Sequence, residues 1–326
     1  MTGILTVYLV KKAMAEDILV EIESLTVRFT LNGLKITAVD DVQLSIYRNE
    51  IVCLIGESGS GKSILGMALI KLLPSQTEIE GKVLFNGIDL IKLNEREINK
   101  IRGREIAWIP QAQSSSLNPT MRVGFQVGEP LETHCGIDRI SAIRFIIKLF
   151  NYLDIHPPLK RAMEYPYQYS GGMRQRALVA MGLSTEPKLI IADEPTKGID
   201  LIRRKQVKDL LEKAREKSSI LVITHDLKLS STLADRVAVM YCGKILEVSE
   251  AKSFFHDPLH PYSKALLSSI PSRGLRPIKG KPPNVMNPPH GCRFHPRCDS
   301  AQKICSSEDP PFKNINGSSV RCWLYE

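Results

Sequence analysis

The segment Gly56-Glu57-Ser58-Gly59-Ser60-Gly61-Lys62-Ser63 fits the spacing G-x-x-x-x-G-K-[ST] of a phosphate-binding loop. Glycines let such a loop curl so that successive backbone N–H groups face a chain of phosphates. The Lys62 ammonium is then expected to reach the β- and γ-phosphates of a nucleotide, and the Ser63 hydroxyl to ligate Mg2+. A second stretch, KLIIADEP (Lys188–Pro195), is an apolar run ending in two consecutive acids. Strand ends of this kind open onto the ligand crevice of an α/β sheet. There Asp193 is expected to hold Mg2+, directly or through water, and Glu194 to polarise an attacking water as general base. A lone Asp-Glu pair is usually just a turn or helix start; the phosphate loop is what gives this pair its meaning. A third stretch, YSGGMRQRALVAMGL (Tyr169–Leu183), places Ser170 as a helix N-cap. Gly171 and Gly172 leave backbone N–H groups bare at the positive helix end, a second anion site. Two phosphate-facing sites in one domain make sense if each nucleotide is shared between two subunits.

These residues need strands and helices to carry them. IVCLI (Ile51–Ile55), EIAWI (Glu105–Ile109), KLIIAD (Lys188–Asp193) and SILVIT (Ser219–Thr224) are short, apolar and rich in Ile and Val. They read as buried, mostly parallel strands. The first runs straight into the phosphate loop, and the apolar-periodic SILGMALIKLL leaves it as a helix. Val27–Glu50 alternates in polarity instead and contains Asn32-Gly33, which predicts a hairpin and an antiparallel layer ahead of the parallel core. From about Val123 to Tyr165 the pattern turns helical, with a broad apolar face in AIRFIIKLFNYL. Beyond Pro271, Pro277, Pro282, Pro283, Pro288 and Pro289 break regular elements. The fold class is α/β. Residues 17–270 are expected to form one domain with a helical subdomain at about 112–186, preceded by an extension (1–16) and followed by a small irregular appendage (271–326). An appendage so poor in core is expected to be held together by its cysteines.

The set and order of these motifs resemble the ATP-binding subunits of ABC transporters, whose signature S-G-G-x-x-Q-R is matched residue for residue by Ser170–Arg176. The resemblance implies a P-loop NTPase core with an antiparallel β-subdomain and a helical subdomain, using ATP and Mg2+. It also implies a head-to-tail dimer in which each signature closes on the partner's ATP. Gln111 resembles the family's Q-loop glutamine, which touches Mg2+ and the lytic water and couples to the membrane subunits. His225, in VITHDL, resembles the switch histidine at the γ-phosphate, and Asp200 the D-loop aspartate at the dimer seam. Phe29 stands where the family stacks an aromatic on adenine, although a lone Phe is more often core. SLNPTMRVG (Ser116–Gly124), ADRVAVMYCGKILE (Ala234–Glu247) and HPYSKALLSSIP (His260–Pro271) look more narrowly like the dipeptide, oligopeptide and nickel importers. That branch implies a motor coupled to two transmembrane permease subunits and, indirectly, to an extracytoplasmic substrate-binding protein. It implies a second ATPase subunit, paralogue or self, and a peripheral place on the cytoplasmic face of the membrane. The cargo would be di- or oligopeptides, nickel complexes or short oligosaccharides. The chain departs from the branch at Gln111-Ala112-Gln113 (usually Q-D-P), at Lys197-Gly198-Ile199-Asp200 (usually T- or S-A-L-D), and at Tyr167, where His is common. None of these removes a catalytic group.

Composition narrows the alternatives. The longest apolar run near the N-terminus, Ile4–Val10, is seven residues, far below the roughly 18–20 needed to cross a bilayer. The net charge of +9 is mostly a property of the tail, where residues 272–326 hold nine Lys/Arg against four Asp/Glu. No aromatic-interleaved basic stripe accompanies it, so nucleic acid is not an expected partner. The competing class, a soluble ABC ATPase acting on nucleic acid or ribosomes, commonly has two cassettes or a coiled-coil insertion. This chain has one phosphate loop and no heptad run. Four of its seven cysteines, Cys292, Cys298, Cys305 and Cys322, fall in the tail with spacing C-x5-C-x6-C-x16-C. A cytoplasmic location argues against disulfides, and structural zinc usually shows a tighter cysteine pair. The looser spacing suits an iron–sulfur cluster, with zinc and unligated thiols as the alternatives. The importer resemblance implies a [4Fe–4S] cluster there, with His295 incidental. Cys53, Cys135 and Cys242 read as ordinary thiols.

Overall fold

Alternating apolar residues over Ile18–Leu31 and Leu34–Tyr47 fold into two long antiparallel strands, paired from Val20↔Ile46 to Leu31↔Leu34. The expected hairpin therefore forms, with Gly33 at φ +79°. The computed structural model describes residues 17–31, 33–111 and 116–326, without the side chains of residues 201, 203 and 272, so Asn32 of that turn lies outside the described residues. The chain divides into two compact units, each with its own strands. One comprises the described residues of Met1–Val52 together with Gly56–Leu93 and Asp235–Glu326; the other comprises Cys53–Ile55 and Asn94–Ala234.

In the first unit Glu78–Phe85 pairs antiparallel with Ile18–Leu31 and is followed by the short strand Ile88–Asp89. Val20, Ile22, Leu25 and Val27 of the first strand are buried. The same unit holds the antiparallel pair Arg236–Tyr241 and Lys244–Glu250. To this pair the C-terminal tail adds Ser318–Arg321, in register Glu247↔Val320, and then Phe312–Ile315. The tail is thus not irregular throughout. The proline-bearing stretch 277–289 forms no helix or strand, but residues 312–321 form a hairpin whose turn is Asn316-Gly317, with φ +51° and +86°. Two consecutive positive φ values match the right-handed twist of paired strands, which is why Asn-Gly is favoured there. An Asn-Gly between FKNI and SSVR is the same signal that marks Asn32-Gly33, and it is what reveals this hairpin in the sequence. Cohesion of the appendage therefore does not rest on the cysteines alone. A two-strand addition to an existing sheet and three arginine–carboxylate pairs also hold it: Arg293–Asp40, Arg297–Glu57 and Arg321–Asp41.

In the second unit Ile106–Ile109, Leu189–Asp193 and Ser219–Thr224 are parallel neighbours, with Ile106↔Leu189 and Ile190↔Ile220 in register. Leu189–Asp193 and Ser219–Thr224 are buried along their whole length. That explains their uninterrupted apolar sequences, since parallel strands are covered on both faces. The helical region opens into Val123–Cys135, Arg139–Tyr152 and Pro158–Ala162. Asp138 caps the middle helix by accepting from the backbone N–H groups of Ile140 and Ser141. Ala142, Ile146 and Phe150 then fall one turn apart on its buried face.

The helix Gly171–Leu183 lies close against the strand Ile106–Ile109. A Cβ added at Gly182 would stand 2.3 Å from Ile109 Cγ1. A β-branched residue there must push the helix off the strand, so Gly182→Val is expected to lower stability by about 1–3 kcal/mol, read as a shift in the urea unfolding midpoint.

Candidate active site

The phosphate loop follows the fully buried strand Ile51–Ile55 and runs into the helix Lys62–Leu69. Its glycines do steric work. Gly61 has φ +105°, and a Cβ there would lie 2.4 Å from the Ala38 carbonyl oxygen. Lys62, only 8% exposed, donates through Nζ to Gly56 O (2.9 Å), Glu57 O (2.8 Å) and Ser60 Oγ (3.3 Å). Gly243 N donates to Ser60 O at 2.9 Å. Ser58 and Gly59 stand exposed at the tip, and Ser63 is half-buried in the first helical turn. The loop thus presents backbone and one ammonium, a combination suited to a polyphosphate. Phe29 sits half-buried in the same unit, opposite Ile36 on the antiparallel sheet.

The acidic strand end is in the second unit. Asp193 is the buried last residue of its strand. Glu194 turns into a left-handed conformation, φ +48°, with its N–H donating to Ile223 O at 2.8 Å. Non-glycine residues are held this way at some cost, and such strain clusters at functional sites. Its carboxylate meets His225 Nδ1 at 2.6 Å, accepts from the His225 backbone N–H at 3.1 Å, and accepts from Thr224 Oγ1 at 3.2 Å. The structure therefore brings together Glu194 and His225, both read from the sequence, and adds Thr224, which the sequence reading missed. Arg204 was missed too. Its Nε donates to Ile199 O (2.9 Å), and its Nη1 lies 3.5 Å from Asp226 Oδ2, tying the residue before Asp200 to the residue after His225. Neither has a motif of its own; only their positions beside Asp200 and His225 mark them. A carboxylate fixed by three donors at a strand end can take a proton from a water without first reorienting.

The Ser170 hydroxyl accepts from Met173 N at 3.3 Å and caps the helix Gly171–Leu183 as expected. Ser170, Gly172, Met173, Arg176, Gly198 and Asp200 line one cleft of about 500 Å3, which joins the signature serine to the D-loop aspartate. Ser170, Gly171 and Asp200 are exposed. Lys197 and Gly198, where the chain departs from the family pattern, are exposed, whereas Ile199 is buried. Tyr167 is 72% exposed and stacks on Tyr165 at 5.7 Å. Gln111 is half-buried just beyond the strand Ile106–Ile109, and Ala112 and Gln113 lie outside the described residues. The following SLNPTM segment is tied down by the buried Gln126, which bonds Asn118 N, Asn118 O and Met121 O.

In the appendage, Cys292, Cys305 and Cys322 are buried and Cys298 is half-buried. The Cys305 sulfur accepts from the Gln302 backbone N–H at 3.4 Å. Cys292 is close enough to feel the charge of all three others. Burial pushes its thiol up to about 12 and raises Cys298 and Cys322 as well. Among the described residues no three His, Cys, Asp or Glu side chains are grouped closely enough to hold a single metal ion. His295 Nδ1 lies 3.0 Å from the Cys292 carbonyl oxygen.

Comparison with known proteins agrees with this geometry. The ABC transporter family model matches residues 39–197. The oligopeptide/dipeptide transporter C-terminal region matches residues 246–305. The chain belongs to the ABC transporter family of ATP-binding proteins and is an ATP hydrolase with a P-loop NTPase fold. Several relatives are peptide-transport ATP-binding proteins. It is 39% identical to the dipeptide transport ATP-binding protein DppD of Bacillus subtilis over 94% of each chain. It is 40% identical to the oligopeptide transport ATP-binding protein OppD of the same organism, covering 94% of this chain and 88% of that one. OppD of Escherichia coli is 39% identical, with 94% and 92% covered. Among solved structures, the dimeric post-hydrolysis ATP-binding cassette MJ0796 bound to ADP and Pi superimposes with a TM-score of 0.65 at 25% identity, over 71% of this chain and 98% of that one. No helix among the described residues is long and apolar enough to cross a membrane.

Gly61→Ala forces a side chain into a left-handed turn and against a carbonyl oxygen. It is expected to weaken nucleotide binding more than about tenfold while leaving the far-UV circular dichroism unchanged, as read by titration with a fluorescent ATP analogue.

Proposed function

We propose that this chain is the motor subunit of a di- or oligopeptide importer, hydrolysing ATP in a head-to-tail dimer to drive transmembrane permease subunits. For this reading it divides into an extension (1–16), an ATPase domain (17–270, helical subdomain about 112–186) and an appendage (271–326). The observation that carries the hydrolytic role is the Glu194 carboxylate held by His225 and Thr224 beside Asp193. Likeness to DppD and OppD along nearly the whole chain supports the peptide cargo.

Loop N–H groups and Lys62 bind the β- and γ-phosphates, and Phe29 stacks on the adenine. Ser63, Asp193 and Gln111 are oxygen-donor residues that suit a hard divalent ion and would hold Mg2+. When bound, Mg2+ neutralises charge on the phosphates. Glu194 takes a proton from the attacking water as its oxygen bonds to the γ-phosphorus and the bond to ADP breaks, and His225 steadies the γ-phosphate. Ser170, Gly171 and Gly172 supply an exposed helix N-terminus to the ATP of a second subunit, self or paralogue, with Asp200 at the seam. The complex then works at the cytoplasmic face of the membrane, fed by an extracytoplasmic binding protein.

Cys292, Cys298, Cys305 and Cys322 would hold a [4Fe–4S] cluster. Three buried thiols and one half-buried thiol, within electrostatic reach of one another, supply the four cysteine ligands that such a cluster takes. The cluster, when bound, supplies a cross-link between segments of the appendage and has no part in hydrolysis.

Glu194→Gln is expected to cut turnover by about 10²–10⁴-fold while ATP-bound dimers accumulate on size-exclusion chromatography; monomers throughout, with turnover retained, would count against the shared-nucleotide mechanism. Protein purified without oxygen is expected to contain iron and sulfide and to absorb broadly at the visible–ultraviolet border. Cys298→Ser should bleach that band, and iron-free protein would rule the cluster out.

A further inference from the structure

Three of the tail cysteines stand next to an arginine, as Cys292-Arg293, Arg297-Cys298 and Arg321-Cys322. Each arginine pairs with a carboxylate elsewhere in the first unit. Arg293 Nη2 meets Asp40 Oδ2 at 2.6 Å, and Arg321 Nη2 meets Asp41 Oδ2 at 3.1 Å. Arg297 Nη1 meets both carboxylate oxygens of Glu57, at 3.1 and 3.0 Å. The last pair differs in kind, because Glu57 is the second residue of the phosphate loop.

Arg297 is built in. Its side chain is 5% exposed. Nε donates to Lys279 O at 2.8 Å and Nη1 also donates to Tyr241 Oη at 3.1 Å. The guanidinium lies over the Tyr241 and Phe294 rings, at 5.8 and 6.0 Å. Glu57 is gripped a second time, since its backbone N–H donates to Tyr262 Oη at 3.0 Å. Tyr262 is fully buried, with its ring 4.5 Å from that of Tyr241, and its backbone N–H is bound by His260 Nδ1 at the start of its helix. The Glu57 carbonyl oxygen in turn accepts from Lys62 Nζ. One residue thus links an appendage arginine to the lysine of the phosphate loop. The electrostatics point the same way. A carboxylate within a loop that receives a polyanion repels its ligand unless a cation offsets it, and Arg297 is the cation placed to do so.

We propose that Arg297 is a positioning residue for ATP: by clamping and neutralising Glu57, the appendage holds the phosphate loop in its nucleotide-binding form. The inference rests on ATP binding by the loop and is independent of what the cysteines hold.

The test is calorimetric titration of the full chain with Mg-ATP. Arg297→Met is expected to raise Kd about tenfold, because Glu57 is left uncompensated. Arg297→Lys keeps the charge and loses the fork, so it should fall between the two. Glu57→Gln added to Arg297→Met removes the stranded anion and should recover a large part of the loss, an effect that a purely architectural role for Arg297 would not produce. Unfolding midpoints of the ligand-free Arg297→Lys and double variants separate affinity from folding. Wild-type affinity in Arg297→Met, or a double variant binding no better than Arg297→Met, would overturn the proposal. Absence of binding by the wild-type chain would instead refute nucleotide binding itself.

Discussion

A loop that binds phosphates with its own backbone has few side chains left with which to hold its shape, so it must be held from outside. That constraint organises the first unit. The Ala38 carbonyl bounds Gly61 on one side, the Met240 carbonyl bounds Gly56 on another, and Gly243 ties down Ser60. These supports come from segments just over 200 residues apart, which is why the unit draws on both ends of the chain. The buried ammonium of Lys62 closes the loop from within by bonding two of its carbonyl groups.

The second unit solves a complementary problem. It must present a charged carboxylate at the end of a strand that is otherwise wholly apolar. The left-handed turn at Glu194 ends the strand abruptly, and the adjacent strand supplies Thr224 and His225 to receive the acid. Arg204 then links Ile199 to Asp226, so the segments on either side of the acid share an anchor. Ser170, Gly172 and Asp200 line one cleft, and Ser170 and Asp200 are exposed.

Much of this was legible in the sequence because the chemistry is local. A glycine loop between a strand and a helix, two acids after a strand and a serine before two glycines each declare themselves within eight residues. The strands were legible too, since buried parallel strands are short runs of Ile, Val and Leu. What escaped notice is non-local. Thr224 and Arg204 acquire meaning only from what they touch across the unit. Arg297 looks like one more basic residue in a basic tail, and burial against Tyr241 and Phe294 sets it apart. The tail hairpin carried its signal openly in Asn316-Gly317, but the prolines before it hid that signal by suggesting an irregular chain throughout.

The hairpin has one more effect. Strand Lys244–Glu250 would otherwise offer a row of unpaired backbone groups along the rim of its sheet, an invitation to pair with other chains. Ser318–Arg321 covers that rim, and the new outermost strand, Phe312–Ile315, is only four residues long and carries Lys313. Short and charged rim strands discourage strand-to-strand association. The tail thus leaves a short, charged rim where the sheet would otherwise end in an open one.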